Sequence, residues 1–173
     1  MSRAFIKEDA DTEEVLVTVR PPLPQGVDNL VTPSGLAALQ AELKALQAEA
    51  AELASQPSDQ SGSPAVRRMA ALDEEIPALE DRLRSAVLVP TPPAGTDAVQ
   101  VGATVTVRDE GGDGRPSSFR IVGVDEADPL EGLVAFTAPV AGALLGQRVG
   151  ATATFRTGDG VARSVVLEGV TYD

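Results

Sequence analysis

The stretch TPSGLAALQAELKALQAEAAEL, residues 32–53, is the part of the sequence that decides the fold most directly. It consists almost entirely of Ala, Leu, Glu and Gln, which favour helix at nearly every position. Thr32 can cap this helix, and Pro33 suits its first turn. The apolar residues follow the spacing of a coiled-coil seam, which consists of Leu36, Leu39, Leu43, Leu46 and Leu53.

A second helix is predicted after the helix-breaking segment QPSDQSGSP, residues 56–64. Pro77 lies inside it and should kink it or mark a local irregularity. If the two helices fold back on each other, Leu36 faces Leu83 and the turn centres near Asp59. We therefore expect an antiparallel helical hairpin that closes its own seam, and hence a monomer. The second seam consists of Leu72, Ile76, Leu79 and Leu83.

Outward from the hairpin, the sequence changes character on both sides. Residues 90–98 are rich in proline and are predicted to be a linker. Residues 99–173 contain β-branched runs separated by Gly, Asp and Pro, which predict an antiparallel sheet with one short helix from Pro139 to Leu145. Residues 1–31 predict a largely disordered acidic leader; the alternative is that its Val15–Val19 stretch docks as an edge strand. The hairpin then occupies residues 32–89, and the fold class is α+β.

Composition excludes several classes of function. The formal net charge of −12 opposes direct binding to nucleic acid or to anionic lipid. The chain contains no Cys and no His, which excludes Cys/His metal sites, thiolate nucleophiles and Ser-His-Asp triads. No apolar run is long enough for a membrane span, and the acidic start lacks the pattern of a signal peptide. We expect a cytoplasmic protein with no cofactor or metal of its own.

Two parts of the sequence resemble a known family. The run IVGVDEADPLEGLVAFTAPVAGALLGQRVGATATF, residues 121–155, resembles the C-terminal pattern of bacterial GreA/GreB transcription elongation factors, which stimulate transcript cleavage. The run VTPSGLAALQAELKALQ, residues 31–47, resembles the start of that family's coiled coil, and ALEDRLRSAVLV, residues 78–89, resembles its return. The resemblance extends from Val31 to Tyr172 and is most specific in the C-terminal part.

The resemblance implies an FKBP-like C-terminal domain that docks at the rim of the secondary channel of bacterial RNA polymerase, while the coiled coil enters the channel. DNA and RNA would be contacted only through the elongation complex. Two alternatives are that the acidic residues only cap a turn and that the leucines only fill the core. The positions that correspond to the docking residues are Asp125, Glu126, Asp128, Pro139, Leu144 and Leu145.

The tip of the coiled coil departs from the family. The family's tip carries Asp and, three residues later, Glu, which are understood to help hold a second Mg²⁺ within the polymerase active site. Here those positions fall on Ser55 and Ser58, and Asp59 is the only carboxylate of the turn. Asp59 is therefore either an ordinary turn former or a weak catalytic candidate.

Three functions remain open at this point. The first is an elongation regulator that modulates transcript cleavage by the polymerase and is not itself an enzyme. The second is a competitor that occupies the same channel without cleavage. The third, a peptidyl-prolyl isomerase suggested by the FKBP-like fold, is disfavoured because aromatic residues make up only 3% of the chain.

Overall fold

The fold was analysed in a computed structural model, which describes residues 20, 22–55, 63–111 and 114–172. Helices and strands are both present, which confirms the mixed α+β class. Two short 3-10 helices, Val124–Glu126 and Pro129–Glu131, lie between the fourth and fifth strands. The elements in chain order are β1 (Asn29–Val31), α1 (Pro33–Ser55), α2 (Pro64–Arg84), β2 (Ala86–Leu88), β3 (Thr104–Asp109), β4 (Pro116–Val122), β5 (Leu133–Ala135), α3 (Pro139–Leu144), β6 (Thr152–Arg156) and β7 (Ala162–Thr171).

Both long helices begin with a side-chain cap. The hydroxyl of Thr32 accepts a hydrogen bond from the Gly35 N–H at 3.0 Å, which confirms the predicted cap of α1. The hydroxyl of Ser63 accepts from the Val66 N–H at 3.3 Å at the start of α2. Pro77 lies inside α2, and the helix continues through it to Arg84.

The two helices pack against each other in opposite directions. Leu39, early in α1, and Leu79, late in α2, are buried in one hydrophobic cluster with Val31. Near the other end of the pair, Arg68 of α2 forms an ion pair with Glu49 of α1. The other apolar members of the cluster are Leu36, Leu43, Leu46, Leu83 and Ala86.

One buried residue of α2 was not predicted. Glu75 is buried next to the predicted seam position Ile76, which is half-buried as Leu83 is. The inward face of α2 runs through Leu72, Glu75 and Leu79, at the alternating spacings of a helix-packing stripe. The Arg68 guanidinium lies 3.2 Å from the Glu75 carboxylate, and this opposite charge offsets the cost of burying the carboxylate.

Arg68 thereby links two carboxylates of the helical pair, Glu49 and Glu75. Its Nε and Nη2 donate to the two carboxylate oxygens of Glu49 at 2.7 and 2.8 Å, while Nη1 donates to Glu75. These hydrogen bonds from Arg68 lower the pKa of Glu49, and the bond to Glu49 is the main reason why the pKa of Arg68 is raised. The bidentate pair ties the end of α1 to the start of α2.

The leader and the second helix differ from their predicted limits. Asn29–Val31, assigned to the disordered leader, forms β1 and pairs in parallel with β2. The second helix, expected to extend toward residue 89, ends at Arg84. The buried amide of Asn29 donates to the Arg82 carbonyl at 2.8 Å, so it satisfies one of the open carbonyls at this helix end. The Val15–Val19 stretch lies outside the described residues, and the division into domains stays a prediction.

The C-terminal part is a five-stranded sheet in the order β5-β4-β3-β7-β6. The expected antiparallel arrangement is wrong for one pair, because β4 and β5 are parallel. Residues 123–132 carry the chain back between them, so that β5 starts again at the same end of the sheet as β4. The short helix and its Gly146 stop, which has a φ of 79°, are confirmed. The core contains Val99, Val101, Ala103, Val105, Val107, Ile121, Phe136, Ala141, Leu144, Ala153, Val165 and Leu167.

The last residue of the described chain, Tyr172, gives a first testable prediction. Its hydroxyl donates to the Ala98 carbonyl and accepts from the Gln100 N–H, and burial raises its pKa. Tyr172→Phe should lower the free energy of unfolding by about 1–2 kcal/mol, because both backbone groups lose a partner. The unfolded tyrosine gives up its proton first, so the native chain should lose stability above about pH 10, and the Phe variant should lack this loss.

Urea unfolding below and above about pH 10 measures both effects. Because the chain contains one Tyr and no Trp, its ultraviolet absorbance titration follows Tyr172 alone. Identical changes in stability with pH for the two proteins would contradict the prediction.

Candidate functional site: the junction between the helices and the sheet

The acidic turn, residues 123–131, connects β4 to β5 and carries three of the predicted docking residues. Its first 3-10 helix contacts β1 and approaches the start of α1. The turn therefore lies where the helical pair joins the sheet.

Glu126 caps the beginning of α1 from a distant part of the chain. Its Oε1 accepts from the backbone N–H of Thr32 at 3.0 Å and of Gly123 at 3.2 Å. Its Oε2 accepts from the Thr32 hydroxyl. A carboxylate at this end of a helix also interacts favourably with the positive end of the helix dipole. The carboxylate is thus held by three donors and joins the sheet to α1.

Two glycines leave the space that this carboxylate occupies. A Cβ added at Gly35 would lie 2.0 Å from Cδ of Glu126. A Cβ added at Gly123 would lie 2.6 Å from the Leu30 carbonyl oxygen and 2.8 Å from Oε1 of Glu126. Real Cβ atoms do not approach other heavy atoms so closely, so both positions need glycine for this arrangement.

Asp125 holds the second helix to the same turn. Its Oδ2 lies 3.1 Å from Nε of Arg82 in α2, and its Oδ1 lies 3.4 Å from Nη1 of Arg20. Arg20 also contacts Glu42 of α1. The Asp125 side chain is only 1% exposed, so its carboxylate faces the helices and not the surface of the turn. The turn folds onto the helices, where the two arginines offset the cost of burying the carboxylate.

Asp128 and its neighbour Leu130 lie on the outside of the acidic turn. The exposed carboxylate of Asp128 accepts from the Leu130 N–H at 2.9 Å, which caps the second 3-10 helix. Leu130 is 95% exposed, an unusual position for a large apolar side chain. The turn therefore has an inner side, formed by Asp125 and Glu126, and an outer side, formed by Asp128 and Leu130.

The predicted docking residues in and just after α3 also differ in their exposure to solvent. Pro139 is exposed at the start of the helix. Leu144 is fully buried in the core, which makes its assignment to a docking surface wrong, and Leu145 is half-buried against the same core. The cause is that α3 packs against β6 and turns one side toward the sheet.

At the far end of the helical pair, only part of the predicted tip lies within the described residues. Ser55 is the last residue of α1, and its hydroxyl donates to the Glu52 carbonyl at 2.7 Å. Ser58 and Asp59 lie outside the described residues. Across the part of the chain that the structure describes, no group of three or more acidic side chains is placed to hold a metal ion.

The sequence does not reveal the contacts of Arg20 and Arg82. Both are ordinary basic residues there, and their shared partner Asp125 is more than forty positions away from each of them. A signal does exist at Gly35, because glycine in the first turn of a helix whose later positions are strong helix formers is less favourable than alanine, by up to about 1 kcal/mol. Such a glycine indicates a close approach by another part of the molecule.

None of the described helices is sufficiently long and apolar to cross a membrane.

Several known proteins are similar to this chain. A family model described as "Transcription elongation factor, GreA/GreB, C-term" matches residues 94–172. The transcription elongation factor GreB of Pseudomonas aeruginosa is 32% identical over 160 residues, which cover 86% of this chain and 94% of that protein. GreA of Bacillus licheniformis is 38% identical over 96 residues, which cover 56% of this chain.

The chain spans only 60% of the length of the Bacillus licheniformis protein and 65% of GreA from Clostridium novyi. Among solved structures, the GreA factor homolog Gfh1 of Thermus thermophilus is 25% identical. That match covers 84% of this chain and 99% of that one, with a TM-score of 0.39.

Proposed function

Because the chain belongs to the GreA/GreB family of transcription elongation factors, we propose that it binds bacterial RNA polymerase and regulates transcript elongation. The observation that carries this proposal is the match to GreB over both the helical pair and the sheet. In this proposal the protein is a monomer in the cytoplasm and has no enzymatic activity of its own. It contacts DNA and RNA only through the elongation complex.

The proposed mode of binding assigns different roles to the two parts. The C-terminal sheet, of FKBP-like type, docks at the rim of the secondary channel, and the antiparallel helical hairpin enters the channel. The outer side of the acidic turn supports this assignment, because a 95% exposed leucine, Leu130, lies next to the exposed carboxylate of Asp128. These two side chains offer a partner protein an apolar contact and a polar contact on the same exposed turn.

The tip determines what the bound protein does. Two-metal hydrolysis requires hard oxygen ligands that hold the second Mg²⁺ and leave a water free to attack. Ser55 and Ser58 contribute no charge at the two positions where the family has carboxylates. This observation favours a competitor that occupies the channel without stimulating cleavage, and any Mg²⁺ involved belongs to the polymerase active site.

The isomerase alternative gains no support from the cleft of about 310 Å³ between the ends of α1 and α2. This cleft is lined by aliphatic side chains, Met69 and Asp73, and it lies outside the sheet domain that would carry an FKBP-like pocket.

Transcript cleavage in a backtracked elongation complex tests the proposal. We expect the full chain to bind core polymerase, to leave the backtracked transcript uncut, and to slow cleavage by an added active factor of the family. Leu130→Asp should weaken binding by about tenfold, because it removes an exposed apolar contact worth about 1.4 kcal/mol.

Val161→Asp provides the matched control, since Val161 is also an exposed apolar residue but lies in the β6–β7 turn. This control should bind as the unmodified chain does. The absence of any binding to polymerase would refute the proposed function, and strong cleavage by the unmodified chain would refute the assignment as a competitor.

A further inference from the structure

We propose that Asp125 and Glu126 are positioning residues that set the direction of the helical pair relative to the sheet, rather than residues that touch the partner. The proposal rests on the proposed function for its consequence at the polymerase, but its structural part is tested without polymerase. It reassigns the inner side of the acidic turn and leaves the outer side for docking.

The contacts of the two carboxylates support this role because they reach both helices. Glu126 accepts two hydrogen bonds from Thr32 at the start of α1. Asp125 pairs with Arg82 in the last turn of α2 and with Arg20, which also contacts Glu42 of α1. The acidic turn therefore holds the base of the helical pair at two separate points, the start of α1 and the end of α2. Two such points are needed to fix the angle between the helices and the sheet.

Small changes of angle at this base become large displacements at the far end. The helix α1 contains 23 residues, so at ~1.5 Å per residue it is about 34 Å long. A tilt of about 10° at its base would move its far end sideways by about 6 Å, a distance similar to the pitch of one helical turn. A hairpin that must enter a channel therefore depends on the contacts at its base.

The hydrophobic packing alone leaves this angle less defined. The buried apolar residues form two clusters, one on the helical pair with Val31 and one in the sheet domain, and at their boundary Leu30 and Val89 pack against the second. Removal of the two carboxylates should therefore loosen the connection while each cluster keeps its own packing. This separation allows an effect on direction to be distinguished from unfolding.

The absence of native cysteine allows a direct measurement in the full chain. Ala48→Cys in α1 and Thr152→Cys in β6, both at exposed positions, would carry two spin labels. Double electron–electron resonance then gives the distribution of distances between helix and sheet. We expect one narrow distribution, which broadens by about 4 Å or more in Glu126→Ala and in Asp125→Ala, because Ala48 lies about two thirds of the way along α1.

Two further variants serve as controls. Glu131→Gln alters an exposed carboxylate of the same turn and should leave the distribution narrow. Thr32→Ser keeps the hydroxyl that donates to Glu126 and should also stay narrow, whereas Thr32→Val should broaden it. Far-ultraviolet circular dichroism checks that the helices remain folded. If Glu126→Ala does not fold, Glu126→Gln replaces it, because this substitution removes the charge and keeps the size of the side chain.

The consequence for the partner is measured as binding of the same full-length proteins to core polymerase. A helical pair that points correctly only about a tenth of the time should bind about tenfold more weakly. We expect this loss for Glu126→Ala, Asp125→Ala and Thr32→Val, and none for Thr32→Ser, which keeps the hydroxyl that donates to Glu126.

The positioning role would be overturned if the distance distributions of the Glu126 and Asp125 variants were as narrow as that of the unmodified chain. Broad distributions with unchanged affinity would overturn its importance for binding. If the unmodified chain did not bind polymerase, the proposed function would be wrong, and the distance measurements alone would still decide the positioning role.

Discussion

Gly35→Ala is expected to lower the free energy of unfolding by about 2 kcal/mol, although alanine is the better helix former. The added Cβ would lie 2.0 Å from Cδ of Glu126, so the carboxylate must leave its place. In doing so it gives up the Thr32 N–H, the Thr32 hydroxyl and the Gly123 N–H. Hydrogen bonds to a charged group contribute about 1.5–3 kcal/mol, which exceeds the gain in helix propensity.

The same substitution should change sign when the carboxylate is absent. Glu126→Ala alone should cost about 3 kcal/mol, because buried backbone donors lose their acceptor. In that variant the three atoms nearest to the added Cβ at Gly35 no longer exist, since all belong to the Glu126 side chain. Gly35→Ala should then be stabilising by about 0.5–1 kcal/mol, the gain in helix propensity.

Urea unfolding of the four proteins in this double-mutant cycle measures the coupling, expected at about 2–3 kcal/mol. Gly142→Ala is the matched control, because an added Cβ there meets no atom within 4 Å. Additive effects at Gly35 and Glu126 would show that the carboxylate is not what requires glycine at the start of α1.

Arg68→Ala should lower the free energy of unfolding by about 2 kcal/mol. It leaves Glu75, whose side chain is 7% exposed, without the guanidinium 3.2 Å away. The estimate lies below the range for a fully buried pair because the Arg68 side chain is itself 24% exposed. The double substitution Arg68→Met with Glu75→Leu should recover most of the loss, because an apolar pair can replace a buried ion pair.

The contribution of Arg68 should also depend on pH. Its hydrogen bonds lower the pKa of Glu49 in the folded chain, so this stabilisation is present above the pKa of the unfolded glutamate, about 4.3. It is lost as the pH falls through the lower pKa of the folded state. The difference between the unmodified chain and Arg68→Ala should therefore shrink in acid; a difference that grows there would contradict the assignment.

Local patterns predicted the helices and strands because the physical causes lie within a few residues. The spacing of Leu36, Leu39 and Leu43 marks the inward face of α1, and the Thr32 cap forms between residues three positions apart. The same reasoning did not predict the burial of Glu75. Arg68, about two helical turns earlier in α2, offsets the cost of burying the Glu75 carboxylate. The hydrophobic spacing of the sequence does not indicate such an ion pair.

The acidic turn shows the same limit at the candidate site. Asp125, Glu126 and Asp128 are equivalent acidic residues when the sequence is considered alone, and all three were predicted to dock. In the structure Asp125 and Glu126 face the helices, while Asp128 faces outward. The difference depends on how the turn packs against residues forty or more positions away, which local propensity does not describe.

Propensity and spacing were sufficient to predict the mixed class, the two long helices and the short helix from Pro139, since helix propensity, hydrophobic spacing and turn chemistry act over short distances. The resemblance of the C-terminal run predicted the family. Local patterns did not predict that β4 and β5 are parallel, that Asn29–Val31 joins a sheet, or that Glu126 caps a helix ninety-four residues earlier. Those features depend on contacts between distant segments, where the free energy of a buried charge is set by the partners that folding brings to it.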